Sequence, residues 1–344
     1  MRRSSAARGT AAEVVLGLEG LRKLAMGTLA GTLALISLGG AVRATDSGLA
    51  CPDWPACFGQ WIPPADLHIW LEHSHRLLAG VIGLAVAALN VWIIARHRHR
   101  RDLLWPAVLT AVAILVQSGL GALVVLLLLR AELVTAHLGM AAVTVGLLLL
   151  LVVNLREPPV GPDARRSRDQ RFARLAGAVA ALVFVQLLAG GQATGVAAAY
   201  VFNAWPVWAS DTAVLESSTA RELFHLAHRF LGYIVGAAVL ALAVRARREP
   251  RHGEEEDRWL VGLPAIAVGL VVVQIGLGIG NVLTQAQVAV AIGHLTGGIL
   301  LWTVVLLIAV LARRRAREPA QLISRTSGAA GLDPVPDRSP EVRA

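Results

Sequence analysis

Four histidines recur at matching positions in the two halves of this 344-residue chain. Each lies inside a long apolar segment, where an ionisable side chain is a candidate functional residue. Two imidazoles that face each other across a helical bundle can supply both axial ligands of a haem iron. A lone membrane histidine more simply makes an interhelical hydrogen bond, but four at one depth favour metal ligation. The sequence therefore predicts two bis-histidine haem sites, His75 with His137 and His228 with His294.

The residues beside these histidines suit a porphyrin. Arg76 and Arg229 directly follow two of the histidines, where a guanidinium can pair with a haem propionate. Extension of each arginine to the lipid headgroups is the alternative. Paired glycines would let a helix backbone approach a flat macrocycle closely. These glycines are Gly39, Gly40, Gly190 and Gly191.

The two halves differ at Glu72, whose counterpart in the second half is His225. Glu72 stands three residues before His75, so the two side chains share one face of a helix. A carboxylate beside a haem is a candidate for proton transfer or for stabilising developing positive charge. The alternative is an interfacial carboxylate paired with Arg76 or Arg43.

Long apolar segments must position these side chains. Hydrophobic residues make up 56% of the chain and charged residues 16%, whereas a soluble domain has about 45–50% and about 25%. Eight apolar segments have the length of a helix that spans about 30 Å of hydrocarbon. The predicted fold is therefore an all-α integral membrane protein with eight transmembrane helices. Their predicted ranges are 24–44, 71–95, 103–129, 133–155, 172–195, 222–246, 259–283 and 286–312.

An internal repeat relates the two halves. Both contain a Gly-Gly pair, a Trp-Pro pair, the His-Arg and His-Leu pairs, and a glutamine at the same distance before the last histidine. Because each half has four spans, both halves enter the membrane in the same direction, as two parallel-repeat four-helix bundles. The two glutamines, Gln117 and Gln274, are predicted to form helix–helix hydrogen bonds rather than to act in the sites.

The basic residues predict the orientation. Of 32 lysines and arginines, all but five fall on one side of the predicted spans. By the positive-inside rule both termini are cytoplasmic, and loops 45–70 and 196–221 face outward. The net charge of +9 thus marks the cytoplasmic face of a cell-membrane protein, with the haem sites towards the outer face. A nucleic-acid role needs a basic face on a folded domain, and the sequence predicts none.

These assignments divide the chain into five parts. The first span is longer than the apolar region of a signal peptide and is needed by the repeat, so cleavage there is not favoured. The tail is rich in proline, glycine, serine and charge, which is typical of disorder. The predicted parts are the cytoplasmic N-terminus 1–23, the first four-helix half 24–155, the linker 156–171, the second half 172–312, and the disordered tail 313–344.

The two cysteines of the sequence, Cys51 and Cys57, stand in the first outward loop. In an oxidising compartment a disulfide closing this loop over the first site is the structural interpretation. A redox-active pair is an alternative, and a metal site is a weaker one because two further ligands are missing. The remaining histidines are interpreted as incidental: His68, His73, His97, His99 and His252.

In these motifs the sequence closely resembles the haem A synthase family over about residues 24–312. The motifs are Asp46-Ser47-Gly48-Leu49, Cys51…Trp54-Pro55…Cys57, Gly59-Gln60…Pro63-Pro64, Glu72-x-x-His75-Arg76, His137-Leu138, His225-x-x-His228-Arg229 and His294-Leu295. A second-half cysteine pair that some bacterial members carry is absent here, which puts in doubt any mechanism that needs cysteines in both halves.

The resemblance implies an oxidoreductase that converts a methyl group of haem O to a formyl group, giving haem A for terminal oxidases. It implies two successive oxidations with water-derived oxygen, through a gem-diol that dehydrates. His75 and His137 would ligate the substrate haem, Glu72 would be the catalytic carboxylate, and His228 and His294 would ligate a haem b cofactor. Haem O synthase and the assembly of terminal oxidases are the implied partners, with membrane lipid around the protein.

Two other classes compete with this interpretation. A di-haem cytochrome b that passes electrons across a membrane also uses paired histidines, but it does not explain Glu72 or the cysteine loop. A transporter built from parallel repeats would place its polar groups near the bilayer midplane, whereas here they cluster near one face.

Overall fold

Long helices make up nearly all of the structure. The computed structural model describes residues 3–156, 166–206, 219–248 and 255–317. Within these ranges a single isolated bridge, Cys57 with Gln60, is the only β-type pairing. The predicted all-α fold is confirmed. The helices are α1 (Arg3–Ala44), α2 (Leu67–His97), α3 (Arg101–Leu126), α4 (Ala131–Asn154), α5 (Arg166–Gly195), a 3₁₀ turn (Ala198–Tyr200), α6 (Thr219–Arg247), α7 (Glu255–Leu283) and α8 (Val288–Arg317).

All eight helices of the described residues are long and apolar enough to cross a membrane. Their apolar segments run from 24 to 31 residues, and at about 1.5 Å per residue each exceeds the roughly 30 Å hydrocarbon layer. Large apolar side chains cover the outside of the bundle, among them Leu84 and Leu115, which are 74% and 73% exposed. Such a surface is stable in lipid and not in water, so the chain is a multi-pass membrane protein.

The helix ends differ from the predicted spans in two ways. Most helices continue past the apolar segment into polar residues, since a helix satisfies its own backbone hydrogen bonds beyond the hydrocarbon as well as within it. The third helix instead ends at Leu126, before the predicted limit of 129, because Leu128 and Leu129 adopt positive φ angles and turn the chain towards α4. Most of the predicted linker, and the predicted tail from residue 318, lie outside the described residues.

The helices pack as two groups of four. Within α1–α4 each helix contacts the next, and α4 returns to contact α1; α5–α8 make the same closed set of contacts. The groups meet where α1 and α4 pack against α5 and α8. Four helices in such a ring leave an interior that side chains from facing helices can line.

The apolar core of the first group lies at one end of its helices, away from the histidines. In the first group the core includes Leu21, Leu89, Leu103 and Leu148. Leu89 on α2 stands three turns or more after His75, and Leu148 on α4 about three turns after His137. In the second group a larger core extends across the junction and includes residues of α4; it reaches the level of the histidines, since Leu138 packs against it and Ile299 belongs to it. Tight packing at one end of the first group thus holds its helices together and leaves the other end for polar side chains.

Candidate functional site

The four predicted ligands lie on the four even-numbered helices. His75 is on α2, His137 on α4, His228 on α6 and His294 on α8, each six to nine residues after its helix begins. At about 1.5 Å per residue this places them about 9 to 14 Å along the helix axis. All four therefore lie in the early turns of their helices.

The two histidines of the second pair are spaced as two ligands of one iron would be. The ring centroids of His228 and His294 are 6.2 Å apart, and the ring planes are nearly perpendicular, at 82°. An iron bound to both rings at the usual metal–nitrogen distance of about 2.0 Å would separate the centroids by about 6 Å. The pair therefore fits bis-histidine coordination of a haem iron.

The first pair lies between α2, α3 and α4. His75 lies on α2 and His137 on α4, and the side-chain amide of Gln117 on α3 lies 3.2 Å from Nε2 of His137. The predicted interhelical hydrogen bond of Gln117 is thus present, and its partner is a candidate ligand. Gln274 in the second half is different, since its Nε2 has no hydrogen-bond partner within the described residues.

Each of the four imidazoles also has a buried nitrogen without a partner. Within the described residues, Nδ1 of His75, His137, His228 and His294 makes no hydrogen bond. Buried polar atoms are normally satisfied, so an unpaired nitrogen on each predicted ligand is unusual, and Nδ1 of His73 shares this feature.

A glycine on the neighbouring odd-numbered helix supports each ring. A methyl group built on Gly39 would lie 3.0 Å from Cε1 of His75, and one on Gly190 would lie 2.8 Å from Cε1 of His228. Gly121 and Gly278 stand in the same relation to the other two histidines, at 3.2 and 3.4 Å. An added methyl group would force His228 to move and would press on His75 and His137, whereas at Gly278 it would make an ordinary contact with His294.

Gly40 and Gly191 have a different role from the one predicted. Gly40 on α1 faces Leu295 of α8, and Gly191 on α5 faces Leu138 of α4, with Cδ2 of each leucine 2.7 and 3.2 Å from the position of an added methyl group. Both contacts join the two groups of helices. These glycines therefore permit close packing between the groups, as small residues do in membrane proteins.

Glu72 lies in a buried ion pair. Its Oε1 accepts a 2.5 Å hydrogen bond from Nη2 of Arg76, and its Oε2 accepts one from the backbone N–H of Cys51 at 2.8 Å. The side chains of Glu72 and Arg76 are 5% and 12% exposed. Arg76 also donates from Nη1 to the carbonyl oxygens of Asp53 and Ala56. The Glu72–Arg76 pair therefore ties the loop that follows α1 to the start of α2.

That loop, residues 45–66, is closed by a disulfide between Cys51 and Cys57, and we call it the disulfide loop. Both cysteines are fully buried. The Asp53 carboxylate accepts hydrogen bonds from the backbone N–H groups of Gly59 and Phe58. The bond from Gly59 is the main reason that the pKa of Asp53 is lowered.

His225, at the matching position in the second half, donates a hydrogen bond to the backbone where Glu72 accepts one. His225 donates from Nδ1 to the carbonyl oxygen of Ala198 at 2.7 Å. Arg229 donates to the carbonyl oxygen of Ala204 at 3.5 Å and lies over the ring of Phe202. Both arginines thus bind loop carbonyls beside a cis Trp-Pro bond.

His73 was interpreted as incidental from the sequence, and the structure gives it a specific place. It is 1% exposed, its Nε2 lies 2.9 Å from the carbonyl oxygen of Trp61, and the ring lies beside Cys51 and Cys57. A helix places residues two apart on different faces, so His73 turns towards the disulfide loop while His75 turns towards Gly39. No sequence spacing between the cysteines and His73 signals this contact.

Together the fold and the histidine geometry define a class: a multi-pass membrane protein whose helical bundle brings imidazoles together in pairs. Comparison with known families narrows this class. The family model COX15-CtaA, described as cytochrome oxidase assembly protein, matches residues 22–306. The chain belongs to this family.

Similar proteins of this kind are haem A synthases from several bacteria. The chain is 30% identical to that of Maricaulis maris, over 82% of this chain and 92% of the relative. It is 29% identical to those of Shewanella oneidensis, over 80% and 91%, and Paracoccus denitrificans, over 83% and 85%. These comparisons do not favour the alternative of a di-haem electron-transfer cytochrome b.

Proposed function

We propose that this protein is a haem A synthase, an oxidoreductase that converts a methyl group of haem O to the formyl group of haem A for terminal oxidases. The observation that carries the proposal is the 6.2 Å, near-perpendicular arrangement of His228 and His294 in a chain of the COX15-CtaA family. The similar proteins named haem A synthase match most of the chain, which supports haem O as the substrate.

The two histidine pairs then have different tasks. His75 and His137 hold the substrate haem, and His228 and His294 hold haem b as the cofactor. When bound, haem b would supply one-electron redox chemistry. The assignment is supported by the asymmetry of the halves, because the buried carboxylate and the disulfide loop both belong to the half of His75.

Within the first half Glu72 is the catalytic carboxylate. Its position one helical turn before His75 puts it on the same side of α2. Its pairing with Arg76 fixes the carboxylate in one orientation, as proton transfer and charge stabilisation at a reacting carbon require. Arg76 and Arg229, which lie beside the ligand histidines and beneath the loops, are the candidates for contact with haem propionates.

The proposal includes an orientation and a set of partners. Both termini are cytoplasmic, and the halves 24–155 and 172–312 act as parallel repeats in the cell membrane, with both haem sites towards the outer face. The corresponding contacts of Arg76 with Asp53 and of Arg229 with Ala204 support the repeat. Haem O synthase supplies the substrate, and terminal oxidase assembly receives the product.

The test is co-expression with a haem O synthase in a bacterium that makes no haem A, followed by chromatography of the extracted haems. We expect haem A in cells that carry the wild-type protein. His228→Ala and His294→Ala should abolish the low-spin haem b spectrum of the purified protein and the haem A peak.

His68→Ala is the matched control, since His68 contacts Ser47 in the disulfide loop and neither histidine pair. It should leave both the spectrum and the product unchanged. Two results would overturn the proposal. One is wild-type protein that contains no haem although the cells have ample haem; the other is wild-type protein that forms no haem A when haem O is present.

A further inference from the structure

Three side chains that the proposed reaction does not use meet beneath the disulfide loop. Sγ of Cys51, Sγ of Cys57 and a ring nitrogen of His73 all lie within 4.8 Å of one another. The two cysteines are fully buried and His73 is 1% exposed. Two cysteines alone are too few ligands for a metal site; His73 is a third ligand that the sequence did not reveal, and a water molecule would complete the four.

The hydrogen bonding of His73 leaves one of its ring nitrogens free. Nε2 lies 2.9 Å from the carbonyl oxygen of Trp61, and because a carbonyl only accepts, Nε2 must carry the hydrogen. Nδ1 therefore has the free lone pair, and it is buried with no hydrogen-bond partner within the described residues. Histidines that bind metals usually donate their other N–H to a carbonyl or carboxylate in this way.

The loop is held in place by contacts that do not involve the disulfide. Glu72 binds the backbone N–H of Cys51, and Arg76 binds the carbonyl oxygens of Asp53 and Ala56. Opening the sulfur–sulfur bond would therefore leave both sulfurs beside His73. Tetrahedral ligands at metal–sulfur distances of about 2.3 Å and metal–nitrogen distances of about 2.0 Å lie about 3.5 to 3.8 Å apart. The sulfur–nitrogen distances are within 4.8 Å, and the two sulfurs would move apart once their bond is broken.

We propose that the reduced form of this loop binds one thiophilic divalent cation of the Zn²⁺ type through Cys51, Cys57 and His73. A dithiol reductant transfers two electrons and two protons to the disulfide, giving two thiols and the oxidised reductant. The cation then displaces the two thiol protons and binds two thiolates and Nδ1. Thiolate and imidazole ligands select this class of metal. Disulfide and metal exclude each other, so the site is open to metal only after reduction.

The test uses full-length, haem-loaded protein, so that the haem ligands do not bind the added metal. The disulfide is reduced with a phosphine, the phosphine is removed without oxygen, and Zn²⁺ alone is titrated in, with metal analysis after desalting. We expect one equivalent of Zn²⁺ in the reduced protein and none in the oxidised protein. Co²⁺ in place of Zn²⁺ should give sulfur-to-metal charge-transfer absorption in the reduced protein only.

His73→Phe should weaken Zn²⁺ binding by at least about 100-fold, because even the loss of an outer-shell partner costs about 10- to 100-fold. His68→Phe, in the same region but outside the three-residue cluster, should bind as the wild type does. The oxidised wild type serves as the cysteine control if Cys51→Ser/Cys57→Ser does not fold.

Each of three results would overturn the proposal. The reduced wild type binds no Zn²⁺, the oxidised protein binds as much Zn²⁺ as the reduced protein, or His73→Phe binds Zn²⁺ with unchanged affinity. None of these outcomes bears on haem A synthesis, because the haem spectrum and the haem A peak are measured separately.

Discussion

At the scale of single residues, one helix position carries opposite chemistry in the two halves. Glu72 accepts a hydrogen bond from a backbone N–H, and its counterpart His225 donates one to a backbone carbonyl. The choice follows from which backbone group the neighbouring loop presents, because a buried donor or acceptor left unpaired is costly. In the first half this arrangement also places a carboxylate beside the proposed substrate site.

Replacing Glu72 tests whether that carboxylate acts in catalysis. Glu72→Gln keeps an acceptor for the Cys51 N–H and removes the charge. We expect haem A formation to fall by about 10²-fold or more, the usual effect of losing a proton-transfer group, while the haem b spectrum stays unchanged. The measurement is the haem A to haem O ratio in extracts, together with the visible spectrum.

A purely structural Glu72 would give a different pattern. Glu72→Ala leaves Arg76 without its buried partner, and breaking such a pair costs on the order of 3 kcal/mol or more. It should therefore loosen the disulfide loop, detected as faster thiol labelling under reductant. If Glu72→Gln retains wild-type haem A formation, the catalytic role is excluded and only the structural contacts remain.

At the scale of helices, the even-numbered helices provide histidine–leucine or histidine–arginine pairs, and the odd-numbered helices provide glycines. Consecutive residues on a helix point about 100° apart. His294 can thus face His228 while Leu295 faces Gly40 on α1. Two consecutive residues, His294 and Leu295, therefore contribute to a candidate ligand pair and to the junction between the two groups of helices.

The glycine beside His228 should be intolerant of a side chain. In Gly190→Ala the new methyl group would lie 2.8 Å from Cε1 of His228, which displaces the imidazole. We expect a loss of the low-spin haem b signal or a shift of its electron paramagnetic resonance g values. Gly276→Ala on α7 is the control, because nothing lies within 4 Å of a methyl group built there. Identical spectra for Gly190→Ala and the wild type would show that the glycine does not define the ring position.

At the scale of the whole molecule, charge and packing divide the bundle into two ends. The apolar core of the first group lies at the end where the α2–α3 connection carries Arg98 and Arg100, and the histidines lie at the end of the disulfide loop. The distribution of basic residues predicts that the first end faces the cytoplasm. The site of the first group thus lies at the end where apolar packing is replaced by polar contacts.

Cysteine labelling in intact cells tests this orientation. Ile62 in the disulfide loop is 78% exposed, and Arg98 is exposed in the α2–α3 connection. An impermeant maleimide should label Ile62→Cys in intact cells and Arg98→Cys only after the membrane is opened. The native cysteines contribute no background because they form a disulfide. Labelling of Arg98→Cys in intact cells would reverse the proposed topology.

Much of this arrangement could be predicted from the amino-acid sequence. Eight helices follow from the length of the apolar segments, because a helix alone satisfies its own backbone within lipid. The pairing of His228 with His294 follows from the repeat, and their 6.2 Å separation agrees with it. The disulfide follows from two cysteines in one short loop.

Contacts between distant segments were decided only by the tertiary structure. The sequence by itself determined the helices, their apolar surface and the candidate ligands, since these depend on composition and local spacing. It did not determine that His73 lies beside Cys51 and Cys57, that Arg76 binds the loop, or that Gly40 packs on Leu295. Those contacts depend on the rotation of each helix about its axis and on how closely helices approach, which packing of the whole bundle sets.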